Sequence, residues 1–515
     1  MIDMLPPHVI HFLSLASSAF IFLIGMVVLV AFGVFLHDIF QKKDSVLRNY
    51  PVVGHLRGTF THLGEFFRQY FFALDREEMP FNRAERDWVY KSSKGGDNTV
   101  AFGSTRSLTP VGTPLFVNSP FPPLDEETHE VPAIVFGPYA ARPYETRSLI
   151  NISGMSYGAI STPAVTALSR GAKRAGCWLN TGEGGLSPHH LKGGADIVLQ
   201  IGTAKYGVRD RDGNLCDDKL REVASHEQVR MVEIKLSQGA KPGKGGILPG
   251  GKVTPEIAAI RGIPAGEDSI SPNRHLDIDS LDELVDRIGH IRSVTGLPTG
   301  FKTVIGDTAW LDDLFAIVNA RGRESAPDFI TVDSGDGGTG AAPMPLMDSM
   351  GLPIKESLPM VVAALRRAGL SDRVRVVASG KLITPTEIAW AYCAGADAVT
   401  SARGFMFALG CIQALKCNRN TCPTGITTHN PRLQRGLDPA DKAVRVSNFV
   451  AKVHKGVGII AHSCGVPHAR ALGPAHVRMV QANGTSMTLE QIARAAEAGR
   501  PVSLGQAAGA SLVAN

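Results

Sequence analysis

Cysteine is sparse in this chain: seven in 515 residues, an odd number. That argues against a disulfide framework, which small secreted folds build from dense, even sets. Charged residues are also few, at 20%, yet 44% of the residues are apolar. Disordered, collagen-like and low-complexity classes are thereby excluded. Long blocks of like charge are missing. The net charge of +5, from 53 basic and 48 acidic residues, is too small and diffuse to argue for nucleic acid as a partner. No repeat of solenoid period is present. The length suits one large α/β barrel with additions, or two or three ordinary domains. Glycine, by contrast, is abundant at 55 residues, which reads as tight turns and close backbone approach to a ligand.

Lys, Arg, Asp and Glu are all missing from Met4 to His37. A helix rises about 1.5 Å per residue, so about 20 apolar residues cross a hydrocarbon core. The run is long enough to span with tilt. A cleaved signal peptide is the alternative, but no basic segment precedes the run and the apolar stretch is too long for one. Lys42, Lys43, Arg48 and Arg57 follow it, and only Asp3 and the N-terminus precede it. The positive-inside bias then predicts a single-pass protein of the inner (cytoplasmic) membrane, with the catalytic part in the cytoplasm.

Residues 1–43 are therefore read as a transmembrane anchor and 44–147 as a wrapping segment. Within the latter, Leu47–His55 reads as a loop, Leu63–Phe72 as a helix and Phe102–Pro123 as irregular chain. From 148 the pattern changes to short β-rich runs alternating with helical ones. Strand candidates are Leu149–Ser153, Asp196–Ile201, Val232–Leu236, Thr299–Ile305, Phe329–Asp333, Val374–Ala378 and Ala398–Thr400. Helix candidates are 161–175, Leu281–Val294, Trp310–Arg321, Leu358–Ala368 and Pro385–Ala394. This rhythm predicts an α/β fold, a closed (β/α)8 barrel over 148–437, followed by a helical C-terminal extension over 438–515.

Cys411, Cys417 and Cys422 form C-x5-C-x4-C with Pro423 after the last. Three thiols so close together resemble an iron–sulfur ligand loop, and three ligands favour a three-iron cluster. Structural zinc prefers C-x2-C pairs and a fourth ligand; three core thiols are the plain alternative. Gly335–Gly340, containing Gly337 and Gly338, matches G-x-G-x-x-G after a strand. The prolines at 343 and 345 stop a helix from opening there, so a Rossmann site is rejected. A calcium loop fails for want of a closing Glu. What remains is a turn whose backbone can approach a flat cofactor. Ser379-Gly380-Lys381 and Arg403-Gly404 end the last two strands, each with a glycine and a cation. A barrel binds phosphate between those two loops, with two ordinary βα turns as the plain alternative. Glu183 sits among glycines, where it either moves protons or holds an amine, or is a plain turn residue.

The motifs Gly154–Ser161, Thr181–Gly185, Lys235–Gly246, Leu248–Val253, Ile270–Pro272, Gly335–Ala341 and Gly410–Ile426, in this order, resemble the flavin-binding synthase domain of glutamate synthases. The resemblance covers roughly residues 150–430 and implies FMN beside a [3Fe–4S] cluster. It implies FMN phosphate near Ser379, Gly380, Lys381 and Arg403, with the isoalloxazine over Met155 and Ser156. The cluster ligands fall on Cys411, Cys417 and Cys422. Glu183 falls near flavin and substrate, and Lys252 and Lys302 lie in matching segments that face flavin or a substrate carboxylate. Two departures stand out. The chain starts Met-Ile-Asp rather than with a nucleophilic cysteine, so no glutamine hydrolysis is expected. It also ends before the family's large C-terminal domain.

The expected activity is reduction of a 2-imino acid, from 2-oxoglutarate and ammonia, to glutamate by hydride from FMN. The small-molecule substrate is thus a 2-oxo acid or amino acid, and electrons are expected from a protein donor such as a ferredoxin or reductase subunit. Rival readings are an amine or acid oxidoreductase exchanging electrons with a membrane carrier, a transferase forming N-substituted glutamate, and a non-catalytic scaffold.

Overall fold

A computed structural model describes residues 6–41, 44–67, 70–71 and 74–497. The chain divides into two compact units, Met1–Arg83 and Ala84–Asn515. Lys42 and Lys43, used above to orient the anchor, and 498–515 of the C-terminal extension lie outside the described residues.

In the first unit, α1 runs Pro7–Phe40 as one helix of 34 residues. Its most apolar stretch has a mean hydropathy of 3.0 and is nowhere buried by protein. Among the described residues it is the one helix long and apolar enough to cross a membrane. A short α2, Ser45–Asn49, follows, with Asp44 capping Val46 and Leu47 N–H at 2.8 and 3.1 Å. Then comes α3, Gly54–Phe67. The segment Leu47–His55 is thus partly helical rather than a loop, and the helix expected at Leu63 begins nine residues earlier, at Gly54. Its glycines and threonines weaken helix propensity and hide it from a reading by composition.

In the second unit, eight parallel strands close a barrel, as expected. They are β1 (Ile150–Ile152), β2 (Leu179–Asn180), β3 (Ile197–Ile201), β4 (Val229–Lys235), β5 (Thr299–Val304), β6 (Phe329–Asp333), β7 (Arg375–Ser379) and β8 (Ala398–Ser401). Each pairs in parallel with the next, and β8 returns to β1 through Thr400 opposite Asn151. Nearly every strand residue is buried, as helix-covered parallel sheets require. β2 has only two residues, which is why no hydrophobic run announced it.

The helices follow their sequence signals. Thr162–Ala175 is capped by Ser161 at one end and stopped by Gly176, in the left-handed region at φ 67°, at the other. It lies against the long helix Pro439–Ser463 so closely that a Cβ on Gly171 would come within 2.5 Å of Val446.

The bottom of the barrel is plugged by a hairpin of Ile134–Phe136 and Tyr144–Thr146. Phe136 sits edge-on to Trp178 and Phe329, with ring centroids 5.7 and 5.8 Å away. Such burial contributes about 2–3 kcal/mol for a phenylalanine, so this end serves stability and leaves the other end for chemistry. The region expected to be irregular contains a strand, Pro114–Phe116, which pairs with Val477–Val480. Val477–Val480 also pairs with Ser486–Thr488, so the C-terminal region holds an antiparallel sheet as well as helices. These strands of three or four residues are too short for periodicity to show.

Candidate functional site

Parallel strands end together, so every loop after a barrel strand rises from one rim. A cavity of about 190 Å³ opens there. It gathers Met155 and Ser156 after β1, Glu183 after β2, Lys302 from β5 and Gly338 after β6. Ser379, Gly380 and Lys381 after β7, Arg403 after β8, and Lys252 and Cys417 also line it. Gly337, Gly404, Cys411 and Cys422 are not among the lining residues. Gly337 instead packs against Gly239, and a Cβ on Gly404 would sit 2.9 Å from the Phe449 ring. Those two glycines permit close packing behind the wall.

Glu183 is pinned in place. A Cβ on Gly202 would lie 2.6 Å from Glu183 Cβ, so glycine is required there, and one on Gly246 would lie 2.6 Å from its Oε1 and displace the carboxylate. Its Oε1 lies 2.9 Å from Lys235 Nζ. Burial works against its charge, but Lys235, Lys241 and Arg261 outweigh burial and hold the carboxyl below its usual range. Glu183 is therefore an ionised acceptor at neutral pH.

Sequence reasoning did not single out Lys235, Gln238, Lys241 and Arg261. Lys235 also donates to Gln238 Oε1. Burial pulls the Lys241 ammonium below its ordinary value, with Lys235 adding to the effect. Arg261 is buried and donates to Ser269 Oγ at 3.0 Å and to Tyr157 O at 3.3 Å. The signal for the first three was present: two lysines and a glutamine flanking a Gly-Ala turn at the end of a strand. Arg261 gave none, because at the end of a short helix it reads as an ordinary surface residue.

Lys302 Nζ lies 3.2 Å from Asp333 Oδ2, which also accepts from Gly239 N–H at 2.8 Å. Lys252 donates to Ala159 O at 2.7 Å and Cys417 O at 3.3 Å, tying the β1 loop to the cysteine loop. Burial pulls its ammonium down to about 8.

The glycine-rich turn after β6 folds over the turns after β7 and β8. Lys381 Nζ meets Asp336 Oδ2 at 2.8 Å, and Arg403 Nη2 donates to Thr339 O at 2.6 Å. Gly380, at φ 106°, packs so tightly that a Cβ would lie 2.4 Å from Ser334 Cβ. A Cβ on Gly338 would lie 2.6 Å from Arg403 Nε.

In the cysteine loop, Gln413, Leu415 and Asn420 all have positive φ, at 57°, 54° and 57°. Three such residues store strain that ordinary coil avoids. Tyr90 donates to Cys411 O at 2.5 Å. Burial pushes the Cys411 thiol up to about 11. Burial opposes ionisation of Cys422 too, but hydrogen bonds from Thr424 and Thr427 outweigh it and lower that thiol. Among the described residues, no group of three His, Cys, Asp or Glu side chains is disposed to hold a single metal ion.

Comparison with known proteins gives the context. The family profile described as the conserved region in glutamate synthase matches residues 123–467. The glutamate synthase large subunit-like protein YerD of Bacillus subtilis is 37% identical over 93% of this chain and 98% of that protein. The archaeal glutamate synthase [NADPH] of Methanocaldococcus jannaschii is 37% identical over 58% of this chain and 56% of that protein. Among solved structures, a flavocytochrome b2 mutant with benzoylformate is similar over 76% of this chain and 78% of that one. At 12% identity and a TM-score of 0.43, that likeness is too distant to bear on the site.

The candidate site lies at the crown of the barrel, the rim of strand C-termini, and the family these relatives define is one of oxidoreductases. The chain belongs to the glutamate synthase family.

Proposed function

We propose that the protein is a glutamate-synthase-like flavoenzyme that reduces the 2-imino acid of 2-oxoglutarate and ammonia to glutamate. One observation carries this reading. The crown cavity is lined by Lys235, Lys241, Lys252, Lys302, Lys381, Arg261 and Arg403, but only Glu183 and Asp333 as acids. Such an excess of buried positive charge suits a phosphate-bearing cofactor and a dicarboxylate substrate.

FMN fits the wall after β7 and β8. Ser379, Gly380, Lys381 and Arg403 would hold its phosphate, and Gly338, Met155 and Ser156 would lie along its rings. When bound, FMN supplies a hydride. The protein's own part is orientation and charge. Lys241 and Arg261 would take the substrate carboxylates. Glu183, held ionised by Lys235, would orient the nitrogen, accept a proton from the attacking ammonia and pass it to the carbonyl oxygen, which leaves as water as the imine forms. Lys302, braced by Asp333, would fix the far end of the ring system.

The three thiols of the cysteine loop suit a [3Fe–4S] cluster, whose irons spread the ligands farther apart than a single ion does. The strained wrap of Gln413, Leu415 and Asn420 supports a loop built around such a group. Its electrons would come from a protein donor, a ferredoxin or reductase subunit. We read α1 as the anchor to the cytoplasmic membrane. That helix also favours a second reading, an amine or acid oxidoreductase that exchanges electrons with a membrane carrier.

Protein purified without oxygen in detergent tests the proposal. Bound FMN and iron in a ratio near one to three supports it. FMN without iron removes the cluster, and absence of both removes the redox reading.

A further inference from the structure

We infer that α3 is an in-plane membrane helix whose apolar stripe lies in the headgroup layer of a lipid bilayer, fastened there by Asp38. The inference rests on reading α1 as a membrane span.

The stripe is Leu56, Phe60, Leu63 and Phe67, spaced four, three and four residues apart along Gly54–Phe67. At 100° per residue these positions fall within a narrow face. They are 51, 66, 40 and 43% exposed. Arg57, Thr61 and His62 occupy the other face. Tyr50, Tyr70 and Phe71, also exposed, add aromatic rings of the kind that settle at the membrane–water boundary. A helix with an apolar stripe, a polar back and flanking cations is the pattern of an interfacial helix.

What makes lipid the occupant is the position of the stripe. Asp38 lies in the last turn of α1 and is wholly buried. Its Oδ2 accepts from Val52 N–H at 2.9 Å, and His55 Nε2 lies 3.0 Å from both of its oxygens. His37 Nδ1 is a further 3.3 Å contact. A buried carboxylate is costly unless fully partnered, so these bonds fix the start of α3 to the end of α1. One turn before Asp38, Phe35 and Leu36 are still exposed, as a span facing hydrocarbon requires. The stripe therefore begins at the depth where hydrocarbon gives way to headgroups. Arg48 and Arg57 point to anionic lipid.

The test uses the full chain in vesicles that include phosphatidylglycerol. Leu23→Trp, Phe60→Trp and Thr61→Trp are compared with the parent for quenching by brominated lipids. At Phe60→Trp, bromine near the headgroup should quench the added emission at least about twofold more than bromine at the bilayer centre. The order should reverse at Leu23→Trp, and Thr61→Trp should stay unquenched. If Leu23→Trp is quenched and Phe60→Trp is not, the inference fails while the span stands. If Phe60→Trp is also sheltered from aqueous iodide, the stripe is covered by a second copy and the inference again fails. If Leu23→Trp is unquenched, the span reading itself is wrong. Asp38→Ala should reduce the shallow quenching of Phe60→Trp at least about twofold; unchanged quenching overturns the fastening role.

Discussion

Lys235, the last residue of β4, places its ammonium 2.9 Å from Glu183 Oε1 in the loop after β2. A strand end and a loop that are distant in sequence thus share one ion pair at the mouth of the cavity. The pair decides the protonation of the acid that the proposed chemistry uses. Lys235→Gln removes the main charge holding Glu183 ionised. We expect kcat/KM to fall about 100-fold, or about 2.7 kcal/mol of transition-state stabilisation, with FMN still bound. Glu183→Gln should match it. Steady-state kinetics with flavin content measured in parallel checks this; full activity in either variant removes the pair from the mechanism.

The turns after β7 and β8, where the proposal seats the FMN phosphate, give a binding prediction. Arg403→Ala should weaken FMN about 10- to 100-fold, as expected for loss of a charged phosphate contact. Gly380→Ala should lose FMN more completely. An alanine there must adopt φ 106° and push a Cβ to 2.4 Å from Ser334 Cβ. Fluorescence titration of apoprotein with FMN reads both, and circular dichroism confirms that the variants remain folded. Unaltered affinity in Arg403→Ala would place the phosphate elsewhere.

Cys417→Ser should abolish bound iron, whereas Cys393→Ser should leave it intact, because Cys393 is buried in the helix Pro385–Cys393. Tyr90→Phe removes the hydroxyl that donates to Cys411 O and should lower iron content without abolishing it. Iron assay of the three variants is the measurement. Retained iron in Cys417→Ser contradicts the ligand assignment.

Acid sensitivity follows from three buried imidazoles. Burial pushes His190 down to about 3, and His275 and His454 each to about 4. Unfolded, each takes its proton near the ordinary value of 6.5, so between pH 6.5 and about 4 the unfolded chain binds more protons. Stability is full above 6.5 and falls as pH drops through that window, by at most about 1.4 kcal/mol per pH unit for each histidine. His454 accepts from Leu149 N–H at 3.0 Å, a role glutamine can fill. Denaturant midpoints from pH 7 to pH 5 should therefore decline less steeply in His454→Gln. Parallel slopes would show that His454 is protonated in the folded protein.

The barrel was legible in the sequence because its strands and helices alternate with clear periodicity, and because strands such as Phe329–Asp333 end in recognisable turns. The short pieces were not. Leu179–Asn180 has two residues, and Pro114–Phe116 gains its strand character from pairing with Val477–Val480, over 360 positions away. The site shows the same division. Glu183, Lys381 and Arg403 lie in loops whose glycines mark them. Arg261 carries no local mark, because only the fold brings the end of its helix to the cavity. Gly337 and Gly404 fit the motifs but do not line the cavity and are closely packed, since a glycine that permits close approach looks the same whether the neighbour is a ligand or a side chain.

One measurement bears most directly on the proposed chemistry. Protein purified without oxygen, with its bound flavin reduced by light, is mixed with 2-oxoglutarate and ammonium, together and singly. We expect the flavin absorbance to return only when both are present, with glutamate formed in equal amount. Absorbance that stays bleached, or that returns with either compound alone and yields no glutamate, would contradict glutamate formation at the barrel crown.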